Sequence, residues 1–189
     1  MTLANRITLV RIALIPPFIW AALIGLPHDG SPGQAFARYF AMAIFILASI
    51  TDAIDGHLAR KMGEVTNFGK FIDPLADKLL IMAALVCFVQ GGRIGAAPAI
   101  LILTREFAVT ALRLVAVERG QVIAAGLGGK VKLWVQCVVL SYLFTPLSEP
   151  LLPWGGISLG TAAVWLMTAV TVWSGADYLI RHRKVVSIK

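Results

Sequence analysis

Apolar residues along this chain fall into blocks separated by short charged segments. Five uncharged blocks, 12–26, 39–51, 79–92, 94–104 and 133–148, are each shorter than the roughly 18 residues that mark a membrane-crossing helix, and only 150–176 is longer. Each short block reaches spanning length by extending into a charged neighbour: Asp52–Arg60, Lys70–Lys78, Arg105–Arg113 or Lys130–Lys132. The pattern predicts six helices near 8–26, 36–60, 68–91, 95–118, 129–147 and 158–180. Pro16 and Pro17 should kink the first. The mixed segment Leu3–Val10 before it is expected to lie at the membrane interface. The expected fold is therefore all-α: a polytopic membrane protein with six transmembrane helices and a short N-terminal interfacial segment, in one domain over 1–189.

Composition supports that class. Of 189 residues, 58% are hydrophobic and only 14% charged, and the mean hydropathy is +0.81, well outside the usual range of soluble domains. Arg11 interrupts the first apolar block and no A-x-A-type site follows, so a cleaved signal peptide is not expected. Cys87 and Cys137 sit in apolar runs without metal-ligand spacing and read as small core residues.

Charge changes the picture more than hydropathy does. There are 17 Lys and Arg against 10 Asp and Glu, a net +7. Threading six helices up and down brings every basic residue except Arg38 and Arg93 to one side, together with both termini. The positive-inside rule makes that side cytoplasmic, with both termini inside, which accounts for the excess without nucleic acid. Most acidic residues arrive there too, at membrane depth, where a charge costs about 2.5–3.5 kcal/mol on insertion scales. They are expected to pair, face water or bind an ion.

The densest cluster runs from Thr51 to Lys78. Asp52 and Asp55 lie three apart and Asp73 and Asp77 four apart, so each pair shares a helix face. Four carboxylates converging in low dielectric cannot all stay ionised alone. One or two hard divalent cations, Mg²⁺, Mn²⁺ or Ca²⁺, resolve the conflict, and metals with open positions suit displacement at phosphorus. Gly56 leaves room for a substrate, Ala59 keeps the surface shallow, Arg60 can fork onto a phosphate, and Gly69 is a close-packing point opposite. The competing reading is a salt-bridge cluster with Arg60, Lys70 and Lys78 as partners.

The pattern Asp52-x2-Asp55-Gly56-x2-Ala59-Arg60-x8-Gly69-x3-Asp73-x3-Asp77 is similar, position for position, to the signature of the CDP-alcohol phosphotransferase family. The resemblance implies a six-helix homodimeric membrane enzyme. It makes Asp52, Asp55, Asp73 and Asp77 the ligands of a two-ion Mg²⁺ or Mn²⁺ site, with Asp77 also the general base. Gly56, Ala59, Arg60 and Gly69 would form the CDP pocket.

Four cations bear on the acceptor. Arg105 and Arg113 lie in the cytoplasmic half of helix four, and Lys130 and Lys132 begin helix five, whose N-terminus itself attracts anions. Glu106 and Arg113, seven apart, are expected to pair and leave Arg105 free for a ligand. Such a set calls for an anionic acceptor, with anchoring to anionic lipid as the plainer reading. The segment Arg105–Arg113 and the opening Asn5–Arg11 resemble the phosphatidylglycerophosphate-forming branch of the family. That implies CDP-diacylglycerol as donor, sn-glycerol 3-phosphate as acceptor held by Arg105, Arg113, Lys130 and Lys132, and Asn5 and Thr8 on the nucleotide side. A sibling enzyme using inositol phosphate or phosphatidylglycerol is the nearest alternative, and a cation transporter a distant one. Gly156 and Gly160 form a small-xxx-small pair able to pack helix six on a partner.

Overall fold

The computed structural model describes residues 3–27, 31–62, 67–118, 126–149 and 156–182, with side chains at 9–27, 31–51, 78–116, 126, 128–149 and 156–182. Among the described residues there are six α-helices: α1 (Leu3–Gly25), α2 (Pro32–Met62), α3 (Asn67–Gln90), α4 (Ala96–Glu118), α5 (Leu127–Leu143) and α6 (Leu159–Arg181), with a 3₁₀ turn at Pro146–Ser148. Each falls where the apolar blocks predict a helix. The expected start of the first helix near residue 8 is a correction: Leu3–Val10 forms the first turns of α1. It holds no Gly or Pro, and extending a helix costs far less than starting one. α1 also continues through Pro16 and Pro17. α5 stops at Leu143, short of the expected 147, because Pro146 disfavours helical backbone in the residue before it.

The helix ends follow local chemistry. Ser31 precedes Pro32, the first residue of α2, where a missing N–H costs nothing. α3 closes with Gly92 at φ +70, Arg93 N–H donating to Phe88 O at 2.9 Å and Gly92 N–H to Val89 O at 3.1 Å; this is a Schellman stop that needs glycine's left-handed freedom. Ser158 caps α6, accepting from Thr161 N–H at 3.1 Å.

The chain forms two compact units, residues 1–93 with Phe144–Pro146, and Ile94–Leu143 with residues 147–189. In the first, α1 packs against α2 and α3. Its centre is four fully buried rings, Phe18, Phe45, Phe88 and Phe144, with Phe144 centred 4.6 Å from Phe88 and 6.2 Å from Phe18. Cys87 is buried beside Phe88 in the same core, whereas Cys137 of the second unit is only half-buried. A Cβ on Gly25 would lie 2.6 Å from Arg38 Cα, so α1 and α2 approach at backbone distance there.

In the second unit α6 packs against α4 and α5. Gly160 packs within this unit: an added Cβ would sit 2.9 Å from Ser148 O and 3.1 Å from a Leu143 methyl. Gly156 lies outside α6 at φ +68. The small-xxx-small pair is therefore not a one-face helix motif.

Among the described residues, two helices are long and apolar enough to cross a membrane, Pro32–Thr51 and Leu159–Arg181; Leu9–Gly25 and Lys78–Gln90 are apolar but shorter. Large apolar side chains point outward, including Trp20, Phe36, Trp134, Trp173 and Ile180, each more than 60% exposed. Outward apolar surface of this extent marks membrane or partner contact.

Candidate functional site

The aspartate signature lies on the first unit's helices. Asp52, Asp55, Gly56, Ala59 and Arg60 belong to α2, Gly69, Asp73 and Asp77 to α3, and Asn5 and Thr8 to α1. Their backbones are helical, which places Asp52 with Asp55 on one face of α2 and Asp73 with Asp77 on one face of α3. Their side chains lie outside the described residues. The donor set, four carboxylates on two helices, fits a hard divalent cation in charge and oxygen character. Among the described residues no group of three His, Cys, Asp or Glu side chains is placed to hold a metal. One turn before Asp52, hydroxyls fold back on the helix: Ser49 Oγ donates to Phe45 O at 2.8 Å and Thr51 Oγ1 to Ala48 O at 2.9 Å. Arg11 on α1 is only 4% exposed.

The second unit holds a polar network inside three otherwise apolar helices. Glu106 of α4 is its centre. Its Oε1 accepts from Lys132 Nζ of α5 at 2.5 Å and from Gln136 Nε2 at 3.4 Å, and lies 3.6 Å from Arg105 Nη1. Gln136, fully buried, also donates to Thr171 Oγ1 of α6 at 3.5 Å. Arg105 Nη2 donates to Ser174 Oγ at 3.0 Å. Two turns along α4, Arg113 Nε donates to Tyr178 OH at 3.3 Å, and its guanidinium carbon sits 5.4 Å from the centre of that ring. The His182 ring lies tilted by 36° against that of Tyr178, 4.5 Å between ring centres. Lys130 is exposed at the start of α5.

Two expectations change here. Glu106 pairs with Lys132 and Arg105, not with Arg113: the second unit brings Lys132 of α5 against Glu106, while Arg113 is taken up by Tyr178. Arg105 is correspondingly not free, since Ser174 and Glu106 engage two of its nitrogens. Lys132 serves as the carboxylate's counter-charge. Buried ions require such partners because desolvation otherwise costs several kcal/mol.

Within this network two buried polar atoms have no hydrogen-bond partner among the described residues, Arg105 Nε and Gln136 Oε1. With Arg105, Arg113 and Lys132 set against Glu106, the network keeps an excess of positive charge, so it can receive an anion. On the outer side of Arg105, α4 and α6 frame an open apolar groove of about 270 Å³ lined by Leu101, Ala108, Val109, Val172, Ala176 and Leu179 among others.

Gln136, Thr171, Ser174 and Tyr178 escaped the sequence reading. The signal was present: Thr168, Thr171, Ser174 and Tyr178 repeat at three- and four-residue spacing along an otherwise apolar helix, which is one polar face.

The chain is similar to proteins of known name. It is 44% identical over 95% of its length to a CDP-diacylglycerol–glycerol-3-phosphate 3-phosphatidyltransferase from Bacillus subtilis, covering 94% of that protein. It is 44% identical over 95% of its length to a probable phosphatidylglycerophosphate synthase from Mycobacterium tuberculosis, covering 80% of it. A Rickettsia felis protein named as the Bacillus one is 36% identical, with 96% of each chain covered. The sequence profile of the CDP-alcohol phosphatidyltransferase family matches residues 1–173. Helices α1 to α5 and most of α6 lie inside that match, and the chain belongs to the CDP-alcohol phosphatidyltransferase family.

Proposed function

We propose that this protein transfers the phosphatidyl group of CDP-diacylglycerol to sn-glycerol 3-phosphate, releasing CMP. The observation that carries the reading is the full-length 44% identity to a relative bearing that name. The cationic network of α4, α5 and α6 supports it independently, because an anionic acceptor needs positive charge in a site otherwise built of apolar helices.

Residue roles follow from their chemistry. Asp52, Asp55, Asp73 and Asp77 hold one or two divalent ions, Mg²⁺ or Mn²⁺, which when bound offset charge on the pyrophosphate. Gly56, Ala59 and Gly69 let the CDP moiety approach the helix backbones, Arg60 forks onto its phosphate, and Asn5 and Thr8 lie on the nucleotide side. Asp77 takes the proton from the C1 hydroxyl of the acceptor, whose oxygen attacks the phosphorus bearing diacylglycerol. CMP leaves in a direct displacement. Arg105 and Arg113 hold the acceptor phosphate, Lys130 adds charge at the site's rim, and Lys132 contributes through Glu106 as well as by its own field.

The enzyme is proposed to be a multi-pass protein of the inner membrane. Its six helices cross the bilayer, its active site opens to the cytoplasm, and it assembles as a homodimer in contact with membrane lipid. The outward Trp, Phe and Ile side chains support a bilayer environment.

Purified protein in detergent, given CDP-diacylglycerol, Mg²⁺ and a panel of alcohols, should release CMP far faster with glycerol 3-phosphate than with inositol phosphate, phosphatidylglycerol or glycerol. CMP release only with inositol phosphate would sink the acceptor assignment and leave the family chemistry standing.

A further inference from the structure

Arg105 is held in an unusual seat. Its aliphatic stem crosses α6 at Gly175, where an added Cβ would lie 2.5 Å from Arg105 Cγ and 3.2 Å from Nε. One residue earlier, Ser174 Oγ accepts from Nη2 at 3.0 Å. That hydroxyl is itself confined by α5, since a Cβ on Gly128 would come within 3.2 Å of it. Ser174 is 3% exposed. Three helices thus fix one guanidinium. Nε remains buried with no hydrogen-bond partner among the described residues, and leaving such a donor unmet is costly unless a ligand or water completes it.

We propose that Ser174 and Gly175 of α6 are positioning residues that aim the Arg105 guanidinium at the phosphate of the acceptor, and so set the enzyme's affinity for it. The inference rests on the acceptor reading above and deepens it. Gly175 supplies the notch in which the stem lies flat. Ser174 fixes the rotation of the guanidinium plane, and that plane decides whether two parallel N–H groups can meet two phosphate oxygens. Neither residue touches substrate. The effect is therefore one of orientation, felt where the phosphate is bound and not at the reacting hydroxyl.

The test is steady-state kinetics of CMP release by the full-length enzyme in detergent, varying glycerol 3-phosphate and CDP-diacylglycerol separately. Ser174→Ala should raise KM for glycerol 3-phosphate by roughly tenfold, the scale of a hydrogen bond to a charged group, with kcat within about twofold and the CDP-diacylglycerol KM unchanged. Gly175→Ala should raise the same KM by at least as much. Ser174→Thr, which keeps the hydroxyl, should return KM to within roughly threefold of wild type, since the restored bond is the one whose loss was measured. If Ser174→Ala is not monodisperse, Gly128→Ala presses on the same hydroxyl without removing it and should produce the same selective shift. Equal changes in both KM values and kcat, or no change, would overturn the positioning role. A wild-type enzyme showing no glycerol 3-phosphate-dependent CMP release would instead overturn the acceptor reading.

Discussion

Replacing Glu106 by Gln removes the only carboxylate described in the α4–α5–α6 network while keeping its shape. Lys132 Nζ lies 2.5 Å and Arg105 Nη1 3.6 Å from the same Oε1, so the two cations are no more than about 6 Å apart. At an effective dielectric constant of about 20, two like charges at that distance repel by about 3 kcal/mol. Breaking a buried ion pair by removing one partner costs a similar 3–5 kcal/mol or so. A chain of this size loses about 2–4 °C of melting temperature per kcal/mol, so Glu106→Gln should melt roughly 6–12 °C lower, taking the 3 kcal/mol figure with that slope. The assay is loss of the monodisperse peak after heating in detergent. Lys132→Met alone should be damaging too, because it leaves the carboxylate with only Arg105, at 3.6 Å, as counter-charge. The double variant Glu106→Gln/Lys132→Met should lose less than the singles summed, since Glu106 and Lys132 are removed together and only Arg105 is left without its carboxylate. A Glu106→Gln protein melting within about 2 °C of wild type, or a double variant no better than the sum of the singles, would refute the reasoning.

Three further outcomes are expected. Asp77→Asn should lower CMP release by roughly 10²- to 10⁴-fold, the usual contribution of a positioned base; near wild-type turnover would remove Asp77 from that role. Chelation with EDTA should abolish activity and added Mg²⁺ or Mn²⁺ restore it, while Asp52→Asn should weaken the response to added metal. Phe144→Ala empties the centre of the four-ring cluster and should cost about 3–5 kcal/mol, read as a lower melting temperature with the glycerol 3-phosphate KM unchanged in the surviving protein.

Much of the helical framework was legible because it depends on local composition. Every apolar block became a helix, and the stops at Gly92 and before Pro146 follow from single residues with known backbone limits. The boundary of α1 was misplaced because an amphipathic-looking lead-in and a helix's first turns carry the same residues. The site was legible in part. Aspartates at three- and four-residue spacing announce a shared face, since that depends on short intervals along one helix.

Charge pairing was not legible in the same way. Spacing along α4 suggested that Glu106 would take Arg113, but a carboxylate pairs with whatever cation packing brings nearest, and that cation is Lys132 of α5. Ser174, Gly175 and Tyr178 matter because α6 lies against α4, a relation between residues about 65 to 70 positions apart that no local interval encodes. The sequence by itself determined the class of protein, the helices and the carboxylate signature. Tertiary structure alone decided which cation faces the carboxylate and that Arg105 lies buried against Ser174 and Gly175, because ion pairing and burial depend on distances set by the packing of whole helices.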